Sequence, residues 1–154
     1  MKKINFFIVG APKSATSFIK YYLNQHPKIF LPEDEPVFMC KDMRDLSQFK
    51  TLDDYLELFK DRLEENSKIV CGEKTSIYLF SENAYKEIYK YNPNAKIIIC
   101  LRNPIEACYS YHNHNKIMGF EQINDFLDAW NVQDKRKLSN YKIPFFARKE
   151  KLRY

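Results

Sequence analysis

Four short stretches carry the residue types that do chemistry on anions. In Gly10-Ala11-Pro12-Lys13-Ser14-Ala15-Thr16-Ser17 a lysine stands among three hydroxyls just where a helix is expected to open. A helix start offers unpaired N–H groups and partial positive charge, and Lys13 adds a full charge and three donors. That set suits a phosphate or a sulfate, although a capped helix with an exposed lysine would use the same residues. It is not the GxxxxGK[ST] loop, because Lys13 follows Gly10 by three residues and no second glycine is present. Next, Pro32-Glu33-Asp34-Glu35-Pro36-Val37-Phe38 sets carboxylates between prolines beside apolar residues. An apolar wall tunes a carboxylate for proton abstraction; a solvated acidic loop is the alternative. In Gly72-Glu73-Lys74-Thr75-Ser76, Lys74 could neutralise charge that develops in group transfer, or pair with Glu73. Finally, Leu101-Arg102 puts a cation where nucleotide-hydrolysing enzymes end a strand with a magnesium-binding Asp. An arginine there calls for an anion, and Ser110 offers a second donor to it. These strand ends favour nucleotide binding without Mg²⁺.

The elements that must position these residues follow from periodicity. Ile4–Val9 is an apolar run closed by Gly10 and reads as a buried parallel strand. Thr16 to about Gln25 places Phe18, Ile19, Tyr22 and Leu23 at helical spacing, and His26-Pro27 ends it. Residues 27–50 are irregular, with Pro27, Pro32 and Pro36. Thr51 is a natural N-cap, with Asp53 and Asp54 favourable in the first turn of the helix it opens. Lys68–Gly72 is a second strand, Glu82–Tyr91 a helix, and Ala95–Leu101 a third strand. Pro104 begins a helix to about Met118, and Ile123–Trp130 forms another. Alternating strands and helices define an α/β fold, a parallel sheet covered on both faces, with ligands beyond the carboxyl ends of the strands.

The chain has 154 residues, 45% hydrophobic and 16% aromatic, enough for one domain with a core and too aromatic for disorder. No apolar run reaches the ~20 residues of a membrane span. The N-terminus lacks a signal peptide's long apolar stretch and cleavage site, so a cytoplasmic location is expected. Cys40, Cys71, Cys100 and Cys108 form no CxxC pair and read as buried free thiols. With His26, His112 and His114 they complete no zinc spacing, and no metal is expected. The net charge of +5 is uneven: residues 135–154 carry +7 and the rest −2. Such a tail could bind nucleic acid, be solvated, or be a segment whose acidic neighbours are missing; no nucleic-acid partner is expected. Lys41, Arg44 and Lys50 read as a solvated loop, His112 and His114 as structural helix histidines, and Tyr21, Tyr22, Phe30 and Phe38 as core.

Together these stretches resemble the sulfotransferases that use 3′-phosphoadenosine 5′-phosphosulfate (PAPS), over residues 4 to about 118. Gly10–Ser17 is similar to the family's 5′-phosphosulfate loop, and Gln25-His26-Pro27-Lys28-Ile29 to the segment after its first helix. Asp34-Glu35-Pro36-Val37-Phe38 resembles KEPxFF, whose Glu is the catalytic base of the heparan-sulfate-type branch. Glu73-Lys74-Thr75-Ser76-Ile77-Tyr78 resembles EKTPxY, and Leu101 to Ser110 resembles LRDPxERAxS, whose Arg and Ser hold the 3′-phosphate. The chain departs from these patterns at Ala15, Asp34 and Ala107.

The resemblance implies a three-layer, P-loop NTPase-like α/β domain spanning 1–154, an N-terminal fragment or a short form, incomplete at its C-terminus. It implies Glu35, Lys13 and Lys74 as catalytic residues. Lys13, Ser14, Ala15, Thr16 and Ser17 would bind the 5′-phosphosulfate, and Arg102 and Ser110 the 3′-phosphate. PAPS is then the donor and 3′,5′-adenosine bisphosphate (PAP) the product, with a hydroxyl or amine of a carbohydrate or small molecule as acceptor. Oligomeric state is not legible. A P-loop kinase would need Glu73 as its metal ligand; a non-catalytic PAP-binding remnant is the other alternative.

Overall fold

A computed structural model describes residues 2–64 and 68–138. The chain divides into two compact units, Met1–Leu101 and Arg102–Tyr154. The first holds four parallel strands: β1 (Phe6–Gly10), β2 (Ile29–Phe30), β3 (Val70–Lys74) and β4 (Lys96–Ile99), in the order β2-β3-β1-β4. Its helices are α1 (Thr16–Asn24), α2 (Leu52–Leu56) and α3 (Ala84–Tyr91), with 3-10 segments at Lys41–Leu46, Glu57–Arg62 and Ser76–Phe80. The expected α/β class holds. The two-residue β2 lies in the stretch read as irregular, being too short to show a period.

Alternation along β1 assigns the two faces. Phe7 and Val9 point into a large core with Ile4, Phe38, Tyr55, Phe59, Tyr78 and Ile88. Phe6 and Ile8 point the other way, against Leu31, Ile19 and Leu23. So α2 and α3 pack on one face of the sheet and α1 on the other, and all five residues of β1 are buried. Coverage is thinner on the edge strand β4, where Ile97 and Ile99 stay about half exposed (49% and 52%). The stripe on α1 is also narrower than its spacing suggests: Ile19 and Leu23 meet the sheet, while Phe18, Tyr21 and Tyr22 are exposed. Tyr21 and Tyr22 are therefore not core, because they lie on the outer side of α1.

Two glycines are required by close approach. A Cβ on Gly72 would stand 2.0 Å from the Phe6 ring, its neighbour in the β1–β3 register. Gly10 has φ 137°, and a Cβ there would lie 2.4 Å from the Ser76 carbonyl oxygen. The Thr51 cap forms as expected: its hydroxyl accepts from Asp54 N, and the Asp54 carboxylate accepts from Thr51 N, both at 3.1 Å.

The second unit contains α4 (Pro104–Ile117), α5 (Phe126–Asn131) and α6 (Gln133–Leu138). Asn103 caps α4 by accepting from Ile105 N and Glu106 N, with Pro104 in the first turn. His112 is buried and its Nε2 donates to the Asn124 carbonyl at 3.2 Å, a structural role as expected. Arg136 does not behave as a solvated tail residue: it forms a bidentate pair with buried Glu121 at 2.8 and 2.9 Å. Most of the basic run lies beyond the described residues.

Candidate functional site

The loop between β1 and α1 is shaped by its backbone. Lys13 and Ala15 have φ of 60° and 61°, in the left-handed region that side chains seldom adopt. Successive turns of this kind point N–H groups to one side and make an anion-binding concavity. Ala15 is the N-cap of α1 and gives no side-chain cap to it. Ser14 and Thr16 are buried and Ser17 is exposed. Left-handed Ala15 stands at the position where the resembled family has glycine.

Period-two alternation decides what stands at the end of β3. Lys74 shares a register position with Ile8 and points to the α1 face. Its Nζ donates to Ser17 Oγ at 3.1 Å and forms an ion pair with Glu35 Oε1, while its side chain is 8% exposed. The Glu35 carboxylate, about a third exposed, also accepts from Ser76 N at 2.8 Å and from the Ser76 hydroxyl at 3.0 Å. Three residues singled out from the sequence, Ser17, Glu35 and Lys74, therefore meet. Ser76 joins them without having been given a role. Lys20 also lies here, one turn after Thr16, and donates to the Glu33 carbonyl. Burial and the charge of Lys74 hold its ammonium below the usual lysine value.

Glu73 points the opposite way, so it cannot pair with Lys74. It is fully buried on the Phe7 face. The hydroxyls of Thr75 (2.7 Å) and Tyr55 donate to it, and the Tyr78 side chain lies beside it. Burial pushes its carboxyl above the ordinary range, and the hydroxyls pull it back. The metal-ligand role that a kinase would need is not available to a carboxyl enclosed by three hydroxyl side chains. The alternation Cys71, Glu73, Thr75 against Gly72, Lys74 is the signal that could have revealed this. Among the described residues no group of three or more His, Cys, Asp and Glu side chains could hold a metal ion.

Arg102 and Ser110 belong to the second unit. Arg102 Nε donates to Glu106 Oε2 at 3.0 Å. Ser110 follows Glu106 at the i,i+4 spacing that puts two side chains on one helix face. The loop from Cys40 is less solvated than expected: Lys41 pairs with Glu87 at 2.7 Å, and Asp42 accepts from Ser81 Oγ and Glu82 N. Cys40 and Cys71 are buried free thiols, with burial pushing Cys71 up to about 11; Cys100 and Cys108 are half-buried.

The parallel sheet thus carries a lysine-bearing loop at the end of β1 and a Lys–Glu pair at the end of β3. The sulfotransferase domain model matches residues 3–145, and the chain belongs to the sulfotransferase family. It is 31% identical over 110 residues to the membrane-associated sulfotransferase kil1 of Dictyostelium discoideum, covering 70% of this chain and 22% of that protein. It is 28% identical over 116 residues to human bifunctional heparan sulfate N-deacetylase/N-sulfotransferase 2, covering 74% of this chain and 13% of that one. Human carbohydrate sulfotransferase 15 is 27% identical, over 69% of this chain and 26% of its own length. The crystal structure of a sulfotransferase from Alicyclobacillus acidocaldarius superposes with a TM-score of 0.76 at 30% identity, over 96% of this chain and 63% of that one. The chain thus spans about a quarter or less of these curated relatives.

Proposed function

We propose that this chain binds PAPS and transfers its sulfuryl group to a hydroxyl or amine of an acceptor. The observation that carries the reading is Lys74, which joins Glu35 to Ser17 at the start of α1. It puts a candidate base, a cation and the anion loop side by side. The residues fit the donor: α1 opens without a side-chain cap, Lys13 and Ala15 are left-handed, and a buried ammonium stands at the loop. Ser14, Ala15, Thr16 and Ser17 would hold the 5′-phosphosulfate through N–H groups and hydroxyls, with Lys13 supplying a positive charge to it. Arg102 and Ser110 keep the 3′-phosphate role that the resemblance implies.

When bound, PAPS supplies an activated sulfuryl group: the sulfur–oxygen bond to phosphate breaks as the acceptor atom bonds to sulfur, and PAP departs. Glu35 takes the proton that the acceptor loses. Lys13 and Lys74 meet the negative charge that grows on the departing phosphate. The relatives named as heparan sulfate and carbohydrate sulfotransferases support a sugar as acceptor.

Calorimetric titration of the chain with PAP, against AMP and ATP and without metal, tests the donor site. Preferential binding of PAP is expected. ATP or AMP binding as well as PAP would overturn it. Transfer from PAPS to a heparan-type oligosaccharide tests the reaction. Glu35→Gln should lower turnover by roughly 10²–10⁴-fold while PAP affinity holds. Unchanged turnover would remove Glu35 as the base.

A further inference from the structure

We propose that Glu73 is a positioning residue for Glu35: its buried carboxyl sets three side chains that hold residues 37–39, and so fixes where the Glu35 carboxylate stands. The proposal rests on the reading of Glu35 as proton acceptor. Three consecutive residues of the strap after Glu35 are each met by one partner. Val37 N donates to Thr75 Oγ1 at 3.3 Å. The Phe38 ring stacks on Tyr55, centroids 4.5 Å apart and 9° from parallel. Met39 N donates to the Tyr78 hydroxyl at 3.0 Å. All three partners return to one carboxyl. Thr75 donates to Glu73 Oε1 at 2.7 Å and Tyr55 donates to Oε2. The Tyr78 side chain lies beside the same group, and burial and that group's charge push its hydroxyl well above the usual value.

The strap needs such holding. Val37 has φ 54°, a left-handed conformation that a β-branched residue keeps only where its surroundings over-determine it. Buried Pro36 separates it from Glu35 and fixes φ there, so little freedom lies between them. The division of labour along the chain is regular. Lys74 and Ser76 hold the Glu35 carboxylate, while Glu73 and Thr75 hold the backbone that follows it. The chemistry calls for a carboxyl. Thr75 and Tyr78 each present an oxygen lone pair to a strap N–H, so their own protons must go to an acceptor. An amide at position 73 would turn one acceptor oxygen into a donor against that demand.

The test is Glu73→Gln, which keeps the shape, compared with Thr75→Val, which cuts one tie. Hydrogen exchange at the Val37 and Met39 amides is read by NMR, beside cooperative melting, PAP affinity and kcat. In folded Glu73→Gln, exchange at both amides should rise about tenfold relative to β1. The value of kcat should fall about tenfold or more at unchanged PAP affinity. That loss of kcat should vanish in a Glu35→Gln background. Unchanged exchange at Val37 and Met39 overturns the proposal, as does an equal kcat loss with Glu35 already replaced. Should Glu73→Gln fail to fold, Thr75→Val decides: Val37 exchange must rise with Met39 left protected. If Glu35→Gln leaves transfer intact, the proton-acceptor reading falls, and amide exchange alone upholds or overturns the tie to Glu73.

Discussion

A carboxyl in a wholly buried position is costly unless its partners compensate, and Glu73 is enclosed by three hydroxyl side chains that do so in part. Burial still leaves it above the ordinary value, and this has a consequence with a definite sign. Between the unfolded value and the raised folded value, the native protein holds a proton that the unfolded chain has released. Stability from this source is therefore fully present below the unfolded value and is lost as pH rises through the folded one. Glu73→Gln does not titrate. Urea unfolding of the two proteins from pH 4 to 8 should show the wild type losing stability relative to the variant as pH rises. A constant difference across that range would mean that Glu73 titrates alike in both states. Lys74 is the contrasting residue: one position along, on the other face, its charge is met by Glu35 and by the Ser17 hydroxyl.

At the scale of elements, the sheet depends on β1 and β3 approaching where Phe6 faces Gly72. Gly72→Ala would drive a methyl into the Phe6 ring, at 2.0 Å from its nearest carbon. Overpacking of this sort costs about 1–3 kcal/mol. Phe6→Leu in the same chain should recover part of the loss, because the ring is the obstacle. If the double variant were less stable than the sum of the two single changes, the clash would not be the cause. Elements whose signal is local were legible: the apolar run of β1 closed by glycine, the Thr51 cap, and Pro104 in the first turn of α4. Those set by tertiary contact were not. The two residues of β2 pair with β3 only because the chain returns there. Tyr22 has the spacing of a core residue, yet among the described residues nothing covers that side of α1, and it stays exposed.

The molecule as a whole divides its candidate anion ligands between Gly10–Ser17 in the first unit and Arg102 and Ser110 in the second. Motif order is what proposes these residues. What motif order could not supply was the meeting of Ser17, Glu35 and Lys74, which are far apart in sequence and joined only by the parallel register. Nor could it supply Ser76 as a ligand of Glu35, since a serine beside a lysine in a loop has no distinguishing pattern. The 3′-phosphate assignment makes a prediction for the whole protein, because any ligand of the native state alone raises stability by mass action. At a hundredfold excess over the dissociation constant the gain is about 2.7 kcal/mol. PAP should therefore raise the melting temperature more than AMP at equal concentration, the two differing by the 3′-phosphate. Arg102→Ala should erase most of that difference, since a charge-assisted hydrogen bond contributes about 1.5–3 kcal/mol, while leaving the response to AMP intact. The advantage of PAP should also shrink with added salt, as ions screen an exposed guanidinium. If Arg102→Ala preserved the full PAP-over-AMP difference, the 3′-phosphate would have to be held elsewhere, and the role drawn from Leu101 to Ser110 would be wrong for this chain.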